Sequence, residues 1–143
     1  MPYKNYKTNL NQTELQQGLR FVIYFEKEIK PHRGEYNWEN SSFKDYCKRI
    51  GIKWRKEIGS RKGYEGFFIK VARKNNNEPR DCAHCFLRHI RNSFAHGNIC
   101  KDKTYYILTD YEKNNNQSMA FKIKKEYLWD YISELIKTRN QTN

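Results

Sequence analysis

Acidic residues are scarce in this chain. Only 16 Asp and Glu stand against 28 Lys and Arg over 143 residues, a formal net charge of +12. The imbalance recurs along the whole length instead of sitting in a detachable tail, so the folded body itself attracts polyanions. Nucleic acid is the commonest such partner, although a composition rich in Lys and Asn also arises from genomic bias alone. Long apolar runs are missing too. None approaches the ~20 residues needed to cross a bilayer, and Met1-Pro2-Tyr3-Lys4-Asn5 lacks the apolar core of a signal peptide. Both absences predict a cytoplasmic protein with no membrane partner. Cysteine is limited to Cys47, Cys82, Cys85 and Cys100, which in a reducing compartment are expected to be thiols and not a disulfide framework. Linkers and internal repeats are also lacking, which predicts one domain over residues 1–143.

What is present argues for a packed core. Hydrophobic residues make up 37% of the chain and aromatic ones 15%, which excludes compositional disorder despite Asn75-Asn76-Asn77 and Asn114-Asn115-Asn116. A chain of this length buries roughly 68–70% of its unfolded surface. The 11 Tyr, 8 Phe and 3 Trp suit base stacking as well as packing.

Helical spacing of Leu15, Leu19, Val22 and Ile29, with Phe25 alongside, predicts a first helix opened by a capping box at Thr13-Glu14-Leu15-Gln16 and closed near Pro31. The run Phe21-Val22-Ile23-Tyr24-Phe25 taken alone also fits a buried strand. Following a loop with Pro31, Gly34 and Trp38, Ser42-Phe43-Lys44-Asp45 offers a second capping box. Phe43, Tyr46, Cys47, Ile50, Trp54 and Ile58 then continue at helical spacing. Three glycines between 59 and 66 predict a turn, and Phe67, Phe68, Ile69, Val71 and Ala72 fit either a short helix or a strand. Pro79 suits a first helical turn and Gly97 a left-handed stop, which bounds a helix of about five turns over 79–96. Tyr105-Tyr106-Ile107-Leu108-Thr109 is rich in strand formers, and Met119, Phe121 and Ile123 alternate with Ala120, Lys122 and Lys124. Together they predict a β-hairpin over about 104–124 with a polar loop at 110–118. A closing helix over about 125–138 places Tyr127, Leu128, Tyr131, Ile132, Leu135 and Ile136 on one stripe, with Lys137 and Arg139 at its basic end.

The segment Arg88-His89-Ile90-Arg91-Asn92-Ser93-Phe94-Ala95-His96-Gly97 carries the chemistry. Projected at about 100° per residue, Cys82, Ala83, Phe86, Leu87, Ile90 and Phe94 share the buried face. Cys85, His89, Asn92 and His96 form one polar row, and His84, Arg88 and Arg91 a second beside it. A solvated face would draw on the plentiful Lys and Glu, yet residues 80–97 contain neither. Histidine moves protons near neutral pH and arginine grips phosphate oxygens, and these are the parts needed to cleave a phosphodiester without a metal. Arg91 and His96 diverge by roughly 140° on a straight helix. Either the last turn is distorted, or two copies of the helix share one site across a two-fold axis.

Arg91-Asn92-Ser93-Phe94-Ala95-His96-Gly97 resembles the signature of the HEPN superfamily: an arginine, a polar residue, a short spacer and a histidine. The order of parts is similar to small stand-alone prokaryotic HEPN ribonucleases of the toxin or phage-defence type. The resemblance implies a mainly α fold, a HEPN-like helical bundle with a β-hairpin inserted before the C-terminal helix. It also implies metal-independent RNA cleavage at a homodimer interface, with no cofactor. Arg91 would bind and polarise the scissile phosphate, Asn92 would orient it or its partner, and His96 would transfer a proton or position the ribose 2′-hydroxyl, leaving a 2′,3′-cyclic phosphate. Arg88 and His89, one turn earlier, are candidate RNA contacts that the family pattern does not specify. An antitoxin or other regulatory protein is the further partner implied.

Two rivals stand beside this reading. Cys82-Ala83-His84-Cys85, with His89, His96 and Cys100 nearby, invites zinc, but Cys82 lies on the apolar sector and Cys85 and His89 in the polar row, so four ligands do not converge on a regular helix. A HEPN module that binds RNA or a nucleotide without cutting it would use the same Arg91 and His96 only to hold phosphate. A helix-turn-helix reader would need a short second recognition helix, which the pattern does not supply.

Overall fold

A computed structural model describes residues 8–37, 39–52, 66–69, 79–111 and 117–140, with backbone alone at 66–69 and 79–82. The expectations for Trp38, Trp54, Ile58, Val71, Ala72, the glycine-rich turn before Gly66 and the side chain of Cys82 lie outside that description.

Helix α1 spans Gln12–Tyr24 and opens two residues earlier than expected. Its N-cap is Asn11, whose side chain accepts from the Glu14 N–H while Glu14 accepts from the Asn11 N–H, a reciprocal capping box that leaves Thr13 inside the helix. The chain then continues as a π-helical turn over Phe25–Ile29 and a 3-10 turn over Lys30–His32, so Phe21–Phe25 is helical and not a strand. The inward face also differs from the expected one. Gly18, Phe21, Phe25 and Ile29 are buried, whereas Leu15 and Leu19 are exposed. A side chain at position 18 would collide with the Phe94 ring. The closest approach of α1 to the motif helix therefore falls on the residue that has no side chain, and Leu15 and Leu19 turn outward.

Helix α2, Ser41–Ile50, is capped by Asn40, which accepts from the Phe43 N–H at 3.1 Å, and not by the Ser42 box. Helix α2 stops at Gly51, whose φ of +76° is left-handed. Helix α3, Pro79–Ala95, matches the expected motif helix to within a residue, and Gly97 has a φ of +68°.

The hairpin is half of something larger. Strands β1 (Gly66–Ile69), β2 (Ile99–Lys101), β3 (Tyr105–Tyr111) and β4 (Gln117–Lys124) form one antiparallel sheet in the order β1-β4-β3-β2. Gly66–Ile69 thus resolves as strand. An isolated hairpin is marginal in water, and the flanking strands pair with both of its sides. In β4, Met119, Phe121 and Ile123 are buried and Ala120, Lys122 and Lys124 are partly exposed. Strand β3 runs through Tyr111, so Asp110, expected in a polar loop, is a strand residue.

A 3-10 turn, Lys125–Tyr127, leads into helix α4, Leu128–Ile136, which buries Leu128, Tyr131, Ile132 and Leu135. The core is aromatic where α2, α3, β4 and α4 meet. The Phe86 ring lies edge-on to Phe121 at 5.0 Å and to Tyr131 at 5.9 Å, and Phe43 packs on Tyr131 at 5.3 Å. Helices packed on an antiparallel sheet give a mainly α fold. Among the described residues no helix is long and apolar enough to cross a membrane.

Candidate functional site

Helix α3 is buried on more than its apolar face. The π-helical turn after α1 packs on one side and β3 on the other, so Cys85, His84 and His89 are buried together with Ala83, Phe86, Leu87 and Ile90. Three of the seven residues in the two polar rows are therefore enclosed, Cys85 and His89 from one and His84 from the other. Arg88 is exposed, Arg91 and Asn92 are half-buried, and His96 is exposed one residue beyond the helix.

His89, expected to contact RNA, is 5% exposed, and its Nδ1 lies 2.7 Å from Asp110 Oδ2. Asp110 Oδ2 also accepts from Asn92 Nδ2 at 3.0 Å, and Asn92 Oδ1 accepts from Arg91 Nη1 at 2.9 Å. A second nitrogen of Arg91, Nη2, meets Glu26 Oε1 at 3.1 Å. One polar chain therefore runs from the interior to the surface through His89, Asp110, Asn92, Arg91 and Glu26. The enclosed Arg91 Nε has no acceptor among the described residues.

Burial opposes charge on both members of the inner pair, but each overcomes it through the other. Desolvation alone would lower the His89 pKa, and the hydrogen bonds to Asp110 and Cys85 raise it above the ordinary value. Burial alone would raise the Asp110 carboxyl, and the hydrogen bonds from His89 and Asn92 bring it below the usual range. Both shifts run in the direction that favours an imidazolium against a carboxylate. Its position follows from local structure. Residues 106, 108 and 110 point inward from β3, which aims Asp110 at α3. Ser93 Oγ, with a single proton, sits between the carbonyls of His89 at 3.0 Å and Thr109 at 2.6 Å and ties the helix to the same strand.

The helix end places the remaining residue. The His96 N–H donates to the Asn92 carbonyl at 2.9 Å, and beyond Gly97 the Asn98 N–H donates to the Ser93 carbonyl at 2.8 Å. The Thr109 N–H then reaches the Asn98 carbonyl at 2.9 Å, which turns the chain into β2 beside β3. Arg91 and Asn92 are thus directly joined. His96 shares the helix end with them through the backbone only, and no side-chain hydrogen bond links it to Arg91.

Asp110, Ser93 and Glu26 escape the sequence reading. The signal for Asp110 is present as period-two alternation, since Tyr106, Leu108 and Asp110 fall on one strand face. Glu26 has none, because its contact depends on the wider turn of the π-helix. No group of three His, Cys, Asp or Glu side chains among the described residues is placed to hold a metal ion.

No curated protein and no solved structure matches the chain. A family model described as HEPN pEK499 p136 matches residues 1–142. With a match over nearly its full length, the chain belongs to this family of the HEPN superfamily.

Proposed function

We propose that the protein is a metal-independent endoribonuclease acting on single-stranded RNA, with each active site shared between two copies of α3. HEPN membership supports a nuclease or nucleotide-binding module in general. The observation that carries the finer reading is the buried His89–Asp110 pair anchoring Asn92, which in turn holds the Arg91 guanidinium at the surface end of the helix. Positioned charge of this kind is what a phosphorane needs, because donors already aimed at it require no reorganisation in the transition state.

Arg91 binds and polarises the scissile phosphate. Asn92 sets the plane of the guanidinium and offers its own amide to the phosphate. Exposed His96 takes the proton from the 2′-hydroxyl or positions that hydroxyl, a task worth about 10²–10⁴-fold for a general base. The attack closes a 2′,3′-cyclic phosphate. His89 is a positioning residue in this scheme, and Arg88, exposed one turn back, steers the RNA backbone. Toxin–antitoxin or anti-phage defence is the setting that fits the superfamily, with a regulatory partner restraining the activity. The chain as a whole acts as one domain.

The purified protein is expected to cut single-stranded RNA in EDTA, and Arg91→Ala and His96→Ala each to abolish cutting while leaving the circular dichroism spectrum unchanged. Restoration of activity on mixing the two variants would establish a site built from both copies. Cutting that requires a metal, or full activity in His96→Ala, would overturn the mechanism. RNA binding without cutting would favour the non-catalytic module instead.

A further inference from the structure

The chemistry of α3 does not end at His89. Cys85 lies four residues earlier on the same helix face, one turn from the His89 ring whose Nδ1 meets Asp110 Oδ2 at 2.7 Å, and both side chains are buried. From the outer side Arg88 Nη2 approaches Cys85 Sγ at 3.7 Å. Thiol, imidazole and carboxylate thus share one buried side of α3, with a guanidinium beside the sulfur. Such surroundings stabilise a thiolate.

We propose that Cys85 is a hydroperoxide-reactive thiol, activated by His89, Asp110 and Arg88, whose oxidation to a sulfenic acid controls the neighbouring phosphate-binding residues. The control half of this inference rests on the ribonuclease reading; the reactivity half does not. Burial opposes ionisation of the thiol, but the hydrogen bond and charge of His89, then Arg88, bring its pKa below the ordinary value. Cysteine oxidation needs the thiolate, since that anion is the nucleophile.

The step balances with the groups present and one small oxidant. The Cys85 thiolate attacks the terminal oxygen of the hydroperoxide, an S–O bond forms and the O–O bond breaks. Two electrons pass from sulfur to the peroxide. The departing oxygen anion takes a proton from the His89 imidazolium and leaves as water or an alcohol. Cys85 becomes a sulfenic acid and His89 becomes neutral. Enclosure selects the reagent. Cys85 is 8% exposed, which leaves no room to seat a polymer or peptide on the sulfur and argues against a hydrolase built on the same three side chains, while a peroxide is about the size of two water molecules.

Loss of the imidazolium charge reaches the phosphate site along bonds already described. Asp110 holds both His89 and Asn92 through one oxygen, and Asn92 holds Arg91. Removing the positive charge from one side of that oxygen changes what the other side is bonded to. A displacement of about 1 Å in a positioned group slows a reaction on the order of a hundredfold.

The test uses the full chain in a Cys82→Ala background, exposed to hydrogen peroxide folded or in urea, quenched with catalase and only then labelled with dimedone in urea, with adducts located by fragmentation of the peptides carrying Cys47, Cys85 and Cys100. Cys85 is expected to be labelled about tenfold faster in the folded protein than in urea, because an ordinary thiol is only a few per cent thiolate at pH 7. It is also expected to outpace Cys100, which is the more exposed of the two. Asp110→Asn should slow the labelling, and Cys85→Ser should abolish it. Labelling of Cys85 that is slower folded than unfolded, or indifferent to Asp110→Asn, would overturn the activated thiol. Should Asp110→Asn fail to fold, the comparison of folded and unfolded wild-type chain decides by itself. RNA cleavage is then assayed before and after peroxide. A loss of cleavage prevented by Cys85→Ser supports the control, and unchanged cleavage by fully oxidised protein overturns it. Protein that never cuts RNA yet labels at Cys85 removes the ribonuclease and leaves the reactive thiol standing.

Discussion

Asp110 is the residue on which most of the site depends. It accepts from His89 and Asn92 through one oxygen, so its charge sets the state of the histidine and the pose of the motif. Asp110→Asn is expected to lower the His89 pKa, followed by the ring proton shifts in an NMR titration, and to slow RNA cleavage by about ten- to a hundredfold. The pair also has a pH signature in stability. His89 is raised above its unfolded value, so its contribution is full below about pH 6.5 and fades as pH rises through the folded pKa. Asp110 is lowered, so its contribution is full above the unfolded carboxylate value and fades on acidification. Between those limits both contribute. Urea midpoints across pH 4 to 9 should show this plateau and lose its alkaline decline in Asp110→Asn. Glu26 acts in the opposite sense, since it neutralises Arg91. Its ion pair is partly exposed, with side-chain exposures of 28% for Arg91 and 39% for Glu26, which limits it to about 0.2–1 kcal/mol. Glu26→Gln should therefore tighten RNA binding by no more than about fivefold in a filter-binding titration.

At the scale of elements, the approach of α1 to α3 is governed by Gly18. The Phe94 ring fills the space over it, stacked on Trp129 at 5.4 Å and 18° and packed against Phe21 at 6.3 Å. Gly18→Ala would ordinarily favour a helix by about 1 kcal/mol. Here the added methyl forces the ring out of its stack, and a net loss of about 1–3 kcal/mol is expected, read as a lower Tm. A gain in Tm would mean that Phe94 yields freely. The same contact explains why α1 was only partly legible. Its existence follows from helical spacing, but spacing alone favours the face with Leu15 and Leu19, and what decides is which residue allows the closest backbone approach. Helix α3 was legible at both ends because Pro79 and Gly97 act locally. Its polar rows misled because an amphipathic projection has one apolar side, while β3 covers part of the other with groups that pair with those polar residues.

Across the whole molecule, Glu14 ties the first helix to the sheet. It caps α1, accepts from the Tyr106 hydroxyl at 2.5 Å, and pairs with Lys101 Nζ at 2.7 Å, while Asn9 bonds both backbone groups of Lys101 at 2.9 and 2.8 Å and covers the end of β2. Burial would raise the Glu14 carboxyl, but the hydrogen bonds from Lys101, Tyr106 and the Asn11 backbone hold it down to about 2. That stabilisation, roughly 3 kcal/mol, is complete above the ordinary value of 4.5 and is lost as pH falls from there through about 2. Acid unfolding should therefore begin at a higher pH in Glu14→Gln than in the natural chain, measured by far-ultraviolet circular dichroism. An unchanged acid midpoint would show that the tie contributes little.

The amino-acid sequence alone determined the basic field, the motif helix with its proline start and glycine stop, the alternation of β4 and the Arg91-Asn92-His96 pattern. Each of these depends on composition or on residues within a few positions of one another. Tertiary structure alone decided that Asp110 faces His89, that Glu26 faces Arg91, that Glu14 caps one element while bonding two others, and that Gly66–Ile69 joins the sheet as a fourth strand. Those contacts link residues 21, 65, 92 and 50 to 56 positions apart in the chain. No local propensity encodes such a meeting; it follows from how α1, α3 and β3 close on a common core.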